Sequence, residues 1–446
     1  MSRYETYKSS EVVWIGDIPQ QWKIKRLKDL VNPKITDGPH ETPELVDDED
    51  GIPFISAEAI TENGINYEAR GGNISVEQDR IYSLKCKPKR DDIFIVKSGS
   101  TTGRIGYVDT DLNFNIWSPL ALVRSNNKTS SRFLYHFLSS DCIQRQIQNS
   151  WSFGTQPNIG MGVIERLRLA IPEYDEQLTI ANYLDDQTQK IDRLIANKKA
   201  QAEKLKELRQ IEINNAVTKG LNPNAEMKDS GIEWLGDIPK HCEVNRLKNS
   251  TFINQSVISE KTSPDYLIKY IDISNVNSMG EFIELQEMEF SEAPSRARRV
   301  PKHNSILLST VRTYLRAIAL VQNPDENLIA STGFAVIDAN QNLFDAGYLY
   351  FQMISHILVE RVIANSEGVS YPAISSTKLG DIKIVIPPKK EQAEIANFLQ
   401  KRTTAIDQLI KNIEAQIDKL QELRKIRIYE AVTGKIKVNA YAETTA

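Results

Sequence analysis

The chain has 446 residues, 26% of them charged, with a formal net charge of −4. Such a length holds roughly two to four domains, the absence of any apolar run of about 18 residues excludes a membrane-spanning helix, and the scattered Cys86, Cys142 and Cys242 exclude a disulfide framework. Only His241 stands beside a cysteine, so no zinc site is expected, and the reading is a cytoplasmic protein in a reducing compartment.

The first motif is Trp14-Ile15-Gly16-Asp17-Ile18-Pro19, followed by Arg26-Leu27-Lys28. Beyond it lie a cationic cluster (Lys85, Lys87, Lys89, Arg90) and an apolar run, Ile93-Phe94-Ile95-Val96, that reads as a strand. The loop after that strand, Lys97-Ser98-Gly99-Ser100-Thr101-Thr102-Gly103-Arg104, combines glycines, hydroxyls and two cations. Its backbone N–H groups with Lys97, Ser98, Thr101, Thr102 and Arg104 suit a phosphate backbone, against the plainer reading of a polar hairpin turn. A helical stretch follows from Ser131 to Asn149, then the turn Gly154-Thr155-Gln156-Pro157-Asn158-Ile159. Gln156 and Asn158 have the side chains that pair bidentately with adenine.

From Ile171 to Thr218 the chain reads as helix, with no Pro or Gly between Pro172 and Gly220. Ile180, Leu184, Ile191, Leu194/Ile195, Leu205 and Leu208 keep a three-four spacing along it. Then the text repeats. Trp234-Leu235-Gly236-Asp237-Ile238-Pro239 and Arg246-Leu247-Lys248 return at an offset of 220 from the first motif, and Ile386 to Thr433 repeats Ile171 to Thr218 at an offset of 215, about half the positions being identical. Between the copies, residues 29–165 and 249–380 show almost no similarity. The second insert has its own cations, Arg296, Arg298, Arg299 and Lys302, and strand-like runs at Ile306-Leu307-Leu308 and Ala317 to Val321. Where the first has its glycine loop, it carries Ser309-Thr310-Val311-Arg312-Thr313-Tyr314-Leu315-Arg316. Arg312 and Arg316 can fork onto guanine or phosphate, and Tyr314 beside Thr313 can stack; a surface ion pair is the blander role. A helical stretch from Ala346 to Ala364 and the turn Gly368-Val369-Ser370-Tyr371-Pro372-Ala373-Ile374 complete the parallel, with Ser370 and Tyr371 as further contact candidates.

A scaffold written twice around two diverged inserts implies one architecture presenting two recognition surfaces. The expected class is α+β, with two long helices packed as an intramolecular antiparallel coiled coil and a pseudo-twofold internal repeat; a zipper between two chains is the competing use of the same stripes. A rod of about 28 residues would span about 42 Å, near one turn of B-DNA. No Asn-Pro-Pro-Tyr-type motif for a flipped adenine and no GxxxxGK[ST] phosphate loop occurs, so catalysis is not expected.

The segment Glu233 to Pro239, Arg246-Leu247-Lys248, Ile386-Pro387 and Glu391-Gln392-Ala393-Glu394-Ile395-Ala396 resembles the specificity subunit of a type I restriction-modification system. Inside the inserts Ile35 to His40, Asp92 to Ile95 and Ser309 to Arg316 resemble its target-recognition domains. The resemblance implies target-recognition domains at 1–172 and 221–387, repeated helical regions at 173–220 and 388–436, and a tail at 437–446. It also implies partners: double-stranded DNA with a bipartite asymmetric site, two modification subunits that methylate adenine, and restriction subunits. S-adenosylmethionine, ATP and magnesium would then sit on those partners, with no cofactor on this chain. The rival class is a coiled-coil adaptor with protein-binding inserts.

Overall fold

The computed structural model describes residues 2–47, 51–62, 64–69, 71–150, 152–153, 157–277 and 279–438. They form two units, Met1–Lys198 with Ala415–Ala446, and Lys199–Glu414. Strands and helices mix in both, as the α+β reading requires.

The repeated residues build the same frame in each unit. Tyr7–Ser9 pairs antiparallel with Asp17–Pro19, and Met227–Asp229 with Asp237–Pro239. The glycine before each Asp turns the chain at φ +68° (Gly16) and +70° (Gly236), a left-handed conformation that a Cβ resists. Next, the strand that runs into each Arg-Leu-Lys pairs antiparallel with the strand that runs into each Ile-Pro. Lys23–Arg26 pairs with Arg168–Ile171, and Glu243–Arg246 with Lys383–Ile386, so each insert leaves and returns at one two-stranded base.

The Glu-Gln repeat then ties insert to helix. Gln177 Oε1 accepts the Ser130 N–H at 2.8 Å, while its Nε2 donates to the carbonyls of Pro172 (3.0 Å) and Lys128 (3.3 Å). Gln392 Oε1 accepts the Asp345 N–H at 2.9 Å, and its Nε2 donates to Pro387 (2.8 Å) and Leu343 (2.9 Å). Ser130 and Asp345 are the N-caps of helices Ser131–Leu138 and Ala346–Ile354. Both glutamines are buried, so each pays its desolvation with three backbone partners.

The inserts share a topology that their sequences conceal. In the first, an antiparallel sheet runs in the order Ile105–Tyr107, Ile93–Val96, Leu120–Val123, Thr36–Asp37. In the second the order is Ile318–Leu320, Ile306–Ser309, Phe334–Ala339, Thr251–Ile253. Each has a further sheet with a parallel pair, Asn115–Ile116 with Ile52–Ile55 and Leu328–Ser331 with Leu267–Ile271. The helical stretches expected over Ser131 to Asn149 and Ala346 to Ala364 are each two helices, broken at Ser140 and Ser355, whose backbones are extended.

The long helices span Tyr174–Lys219 and Lys389–Val432. In the second unit Arg209 Nε meets Asp407 Oδ1 at 2.9 Å and Arg402 pairs with Glu212, so the two segments run antiparallel. In the first unit Arg424 Nε meets Asp192 Oδ1 at 2.9 Å, the same two positions with their roles exchanged between copies. There Ile180 and Leu184 share a core with Ile428, Ala431 and Val432. The stripe read from the sequence needs one correction: Leu194 and Leu208 are exposed, as are Leu409 and Leu423, which stand 215 residues on in the second copy. The buried members of the stripe are Ile180, Leu184 and Ile191 on the first helix and Ile395, Leu399, Ile406 and Ile410 on the second.

Gly434 closes the second long helix at φ +70°, and a Cβ there would lie 2.4 Å from Pro19 Cδ. Gly434→Ala is expected to destabilise the fold by about 1–3 kcal/mol in urea titrations. Gly220→Ala, where the nearest atom is the far end of the Glu391 side chain at 2.9 Å and no backbone or ring stands in the way, should cost less; equal losses would contradict this steric account.

Candidate nucleic-acid interface

In the first unit the loop 97–104 joins the central strand Ile93–Val96 to its edge neighbour Ile105–Tyr107. It packs beside the segment 157–159: Ser98 bridges Asn158, the Gly99 N–H donates to the Pro157 carbonyl at 3.3 Å, and the Ile159 N–H donates to the Lys97 carbonyl at 2.8 Å. Thr102 Oγ1 donates to the Gly99 (2.7 Å) and Pro157 (3.0 Å) carbonyls, spending its hydroxyl on loop shape. Gln144 Nε2 holds the Gly103 carbonyl at 2.9 Å from the helix behind. Ser98 and Thr101 are partly exposed, and Asn158 and Arg104 are exposed. Gln156, with Gly154 and Thr155, lies outside the described residues.

In the second unit the loop 309–316 holds the matching position between Ile306–Ser309 and Ile318–Leu320. Val311 bridges Ala373, the Arg312 N–H donates to the Pro372 carbonyl at 2.7 Å, and the Ile374 N–H donates to the Thr310 carbonyl at 2.8 Å. Each of these bonds repeats one in the first unit, Pro157 and Ile159 lying 215 before Pro372 and Ile374. Arg312 therefore stands where the first insert has Gly99. Both are left-handed, at φ +100° for Gly99 and +52° for Arg312. A non-glycine residue there stores strain of the kind that gathers at functional sites. The Arg312 guanidinium lies 4.6 Å over the Tyr371 ring, and Tyr371 is 61% exposed. Ser370 and Tyr314 are exposed as well, whereas Thr313 is buried, its hydroxyl 2.9 Å from Ser366 Oγ. Arg316, also left-handed at φ +54°, pairs with Glu360 at 2.6 Å. At that exposure the pair is worth about 0–1 kcal/mol, so Arg316 can exchange it for another anion.

Two loops of unlike chemistry on one duplicated frame are what the comparisons with known proteins bear on. The family model described as the type I restriction modification DNA specificity domain matches residues 19–204 and again 238–419. The chain belongs to this specificity family. It is 26% identical, over 97% of both chains, to a protein of Methanocaldococcus jannaschii named for the MjaX type I restriction enzyme specificity subunit. It is 24% identical, over 94% of each, to the MjaVIII specificity subunit of the same organism. A solved chain from work on complex assembly in the type I restriction-modification system superposes with a TM-score of 0.67 at 15% identity, covering 94% of this chain and 99% of that one. The fold is thus that of a specificity subunit, and nothing in these matches supports the adaptor alternative.

Several cations of this specificity subunit are committed internally. Lys97 is corrected most sharply: it is buried, and its ammonium pairs with Asp37. Asp37 also takes Lys85 at 2.6 Å and His40 at 3.0 Å. Burial alone would raise the Asp37 pKa, but hydrogen bonds from Lys85 and Lys97 hold it below the usual carboxylate range. In the neighbouring cluster Lys87 pairs with Asp79 and Arg90 with Asp111, both at 2.7 Å. Lys97 and Lys87 are thereby tied into the insert, whereas Arg90 and Lys89 stay exposed, and the Arg90 pair, like that of Arg316, can be exchanged.

Arg296, Arg298 and Arg299 lie along the edge strand Ala297–Arg299 of the other sheet. Arg296 pairs with Asp272 and donates to Tyr270 Oη at 3.1 Å. Its carbonyl accepts from Thr332, next to Gly333, whose carbonyl accepts the Thr310 N–H, which ties this strand to the arginine loop. Arg298 sits 5.8 Å from the Phe290 ring, and half-buried Arg299 has its pKa lowered by burial. Sequence reasoning missed Asp37, Gln144, Glu360 and Ser366. Only Asp37 lay within a quoted motif, and no local pattern marked the others.

Proposed function

We propose that this specificity subunit reads a split, asymmetric site on double-stranded DNA, one insert to each half, and directs adenine methylation and restriction by its partners. One observation carries the reading: the two inserts present, at the same topological position and with the same backbone bonds, loops of different donors. Glycine and hydroxyls with Arg104 suit backbone contact, while Arg312 on Tyr371 is a forked donor aimed by a ring. Ser98, Thr101, Asn158, Tyr314, Arg316 and Ser370 complete the contact set, Gln156 is a candidate on sequence alone, Arg296 and Arg298 serve phosphates, and Lys97, Thr102 and Thr313 hold loop shape from behind.

The chemistry belongs to partners: two modification subunits with S-adenosylmethionine, and restriction subunits with ATP and magnesium. Exposed Leu194, Leu423 and Ile426 in one unit, and Leu208, Ile211 and Leu409 in the other, offer apolar docking positions on the long helices. No helix among the described residues is long and apolar enough to cross a membrane.

The test is methylome sequencing of a host without such systems, expressing this chain with and without its modification subunit. Methyladenine at a gapped motif with unlike halves, present only with both proteins, is the expected result; a palindromic motif overturns it. Arg312→Gly, which matches the backbone of the first insert, should leave folding stability within about 0.5 kcal/mol. It should cost about 1–3 kcal/mol at one position of one half-site. Uniform weakening on all sequences with a shallower salt slope would make Arg312 a phosphate contact.

A further inference from the structure

The two copies of the frame diverge in chemistry at one buried corner. In the first unit Glu176, in the opening turn of its long helix, accepts hydrogen bonds from Tyr4 Oη at 2.6 Å and Trp22 Nε1 at 3.1 Å. Neither the indole N–H nor the protonated phenol belongs to the usual zinc donors, which are thiolate, imidazole and carboxylate. In the second unit the matching carboxylate is Glu391, while the residues 220 beyond Tyr4, Gln21 and Trp22 are Asn224, His241 and Cys242. His241 Nε2 lies 2.7 Å from Glu391 Oε2, and the donor atoms of His241, Cys242 and Glu391 all lie within 4.8 Å of one another. Cys242 is buried, Glu391 is half-buried and His241 reaches solvent.

Thiolate, imidazole and carboxylate are the three ligand classes that zinc accepts. A tetrahedral ion bonded at about 2.0–2.3 Å needs its donors roughly 3.3–3.8 Å apart, so small side-chain rotations close this set. We propose that His241, Cys242 and Glu391 form a binding site for one zinc-class divalent cation, the fourth position open to water on the His241 side. Binding expels the thiol proton, and the ion then bonds a thiolate and a carboxylate that would otherwise repel. The ion would clamp the turn after Asp237–Pro239 to the first turn of helix Lys389–Val432, where the first copy uses Trp22 and Tyr4. It would also reverse the expectation that this chain has no zinc site.

The probe is cobalt(II), added anaerobically to the chelator-treated full chain. The expected result is a thiolate-to-cobalt charge-transfer band that saturates at one ion per chain and is displaced by zinc. Cys242→Ser should abolish the band and weaken binding more than about 100-fold, beyond the loss typical of second-shell changes; Cys86→Ser and Cys142→Ser should keep it. Should Cys242→Ser fail to fold, His241→Gln, which restores the side chain of Gln21 at a solvent-reaching position, must still weaken cobalt binding. A folded wild-type chain without a saturable band, or a band surviving Cys242→Ser, overturns the proposal. A hydrogen-bonded His–Glu pair would then be its whole role.

Discussion

Asp37→Asn is expected to destabilise the first unit by about 3–5 kcal/mol, because it leaves the buried Lys97 ammonium without its counter-charge. The loss exceeds that of a surface ion pair since water cannot reach the lysine to replace the carboxylate. Replacing both partners by apolar residues of similar volume, Asp37→Leu with Lys97→Met, should recover most of it. The pH dependence has a definite sign. The folded carboxyl titrates below its unfolded value, so its contribution is complete above roughly pH 4 and is lost as pH falls through the folded pKa. The Asn variant should lack that part of the acid limb. Urea denaturation at pH 7 and at successively lower pH measures both, and a cost under about 1 kcal/mol at pH 7 would show that water or His40 rescues Lys97.

The same residue shows where sequence reading stops. A lysine after a strand, ahead of a glycine-rich loop, reads alike whether its partner is a phosphate or a carboxylate on a strand sixty residues earlier. The Asp37–Lys97 pair is set by Leu120–Val123, which lies between the two strands in the sheet, and no local pattern records it. The shared topology of the inserts is hidden for a related reason. Ile93–Val96 and Ile306–Ser309 are buried on both faces, so apart from the closing Ser309 they are apolar and carry no alternation to align. What was legible was the frame. Gly16 and Gly236 turn, the strands that lead into the Arg-Leu-Lys and Ile-Pro blocks pair, and the windows free of Pro and Gly are helices, because each depends on neighbours close in sequence or on residues repeated at a fixed offset. The loops at 97–104 and 309–316 stand at neither repeat offset and were found as the polar segment that follows a strand-like run in each insert. The left-handed backbone of Arg312 and its ring partner Tyr371 were not, since an αL arginine is an exception no propensity foretells.

Gln177→Leu and Gln392→Leu test whether the frame is one device used twice. Each leucine keeps the volume and strands one N–H and two carbonyls in a buried setting. At about 1–3 kcal/mol for each orphaned group, part of it recovered by local relaxation, either variant should lose on the order of 3–5 kcal/mol. Glutamate is expected to be worse than leucine at both positions. It keeps the acceptor but has no donors for the two carbonyls, and it buries a charge beside them. The two sites share no hydrogen-bond partner, so the losses should add in the double variant to within about 0.5 kcal/mol. Hydrogen exchange gives a local readout: in Gln177→Leu the amides that lose protection first should be those of helix Ser131–Leu138, and in Gln392→Leu those of Ala346–Ile354. Loss at one site with indifference at the other would mean that the repeated glutamine outlived its task in one copy, and that insert would then be held by its strand base alone.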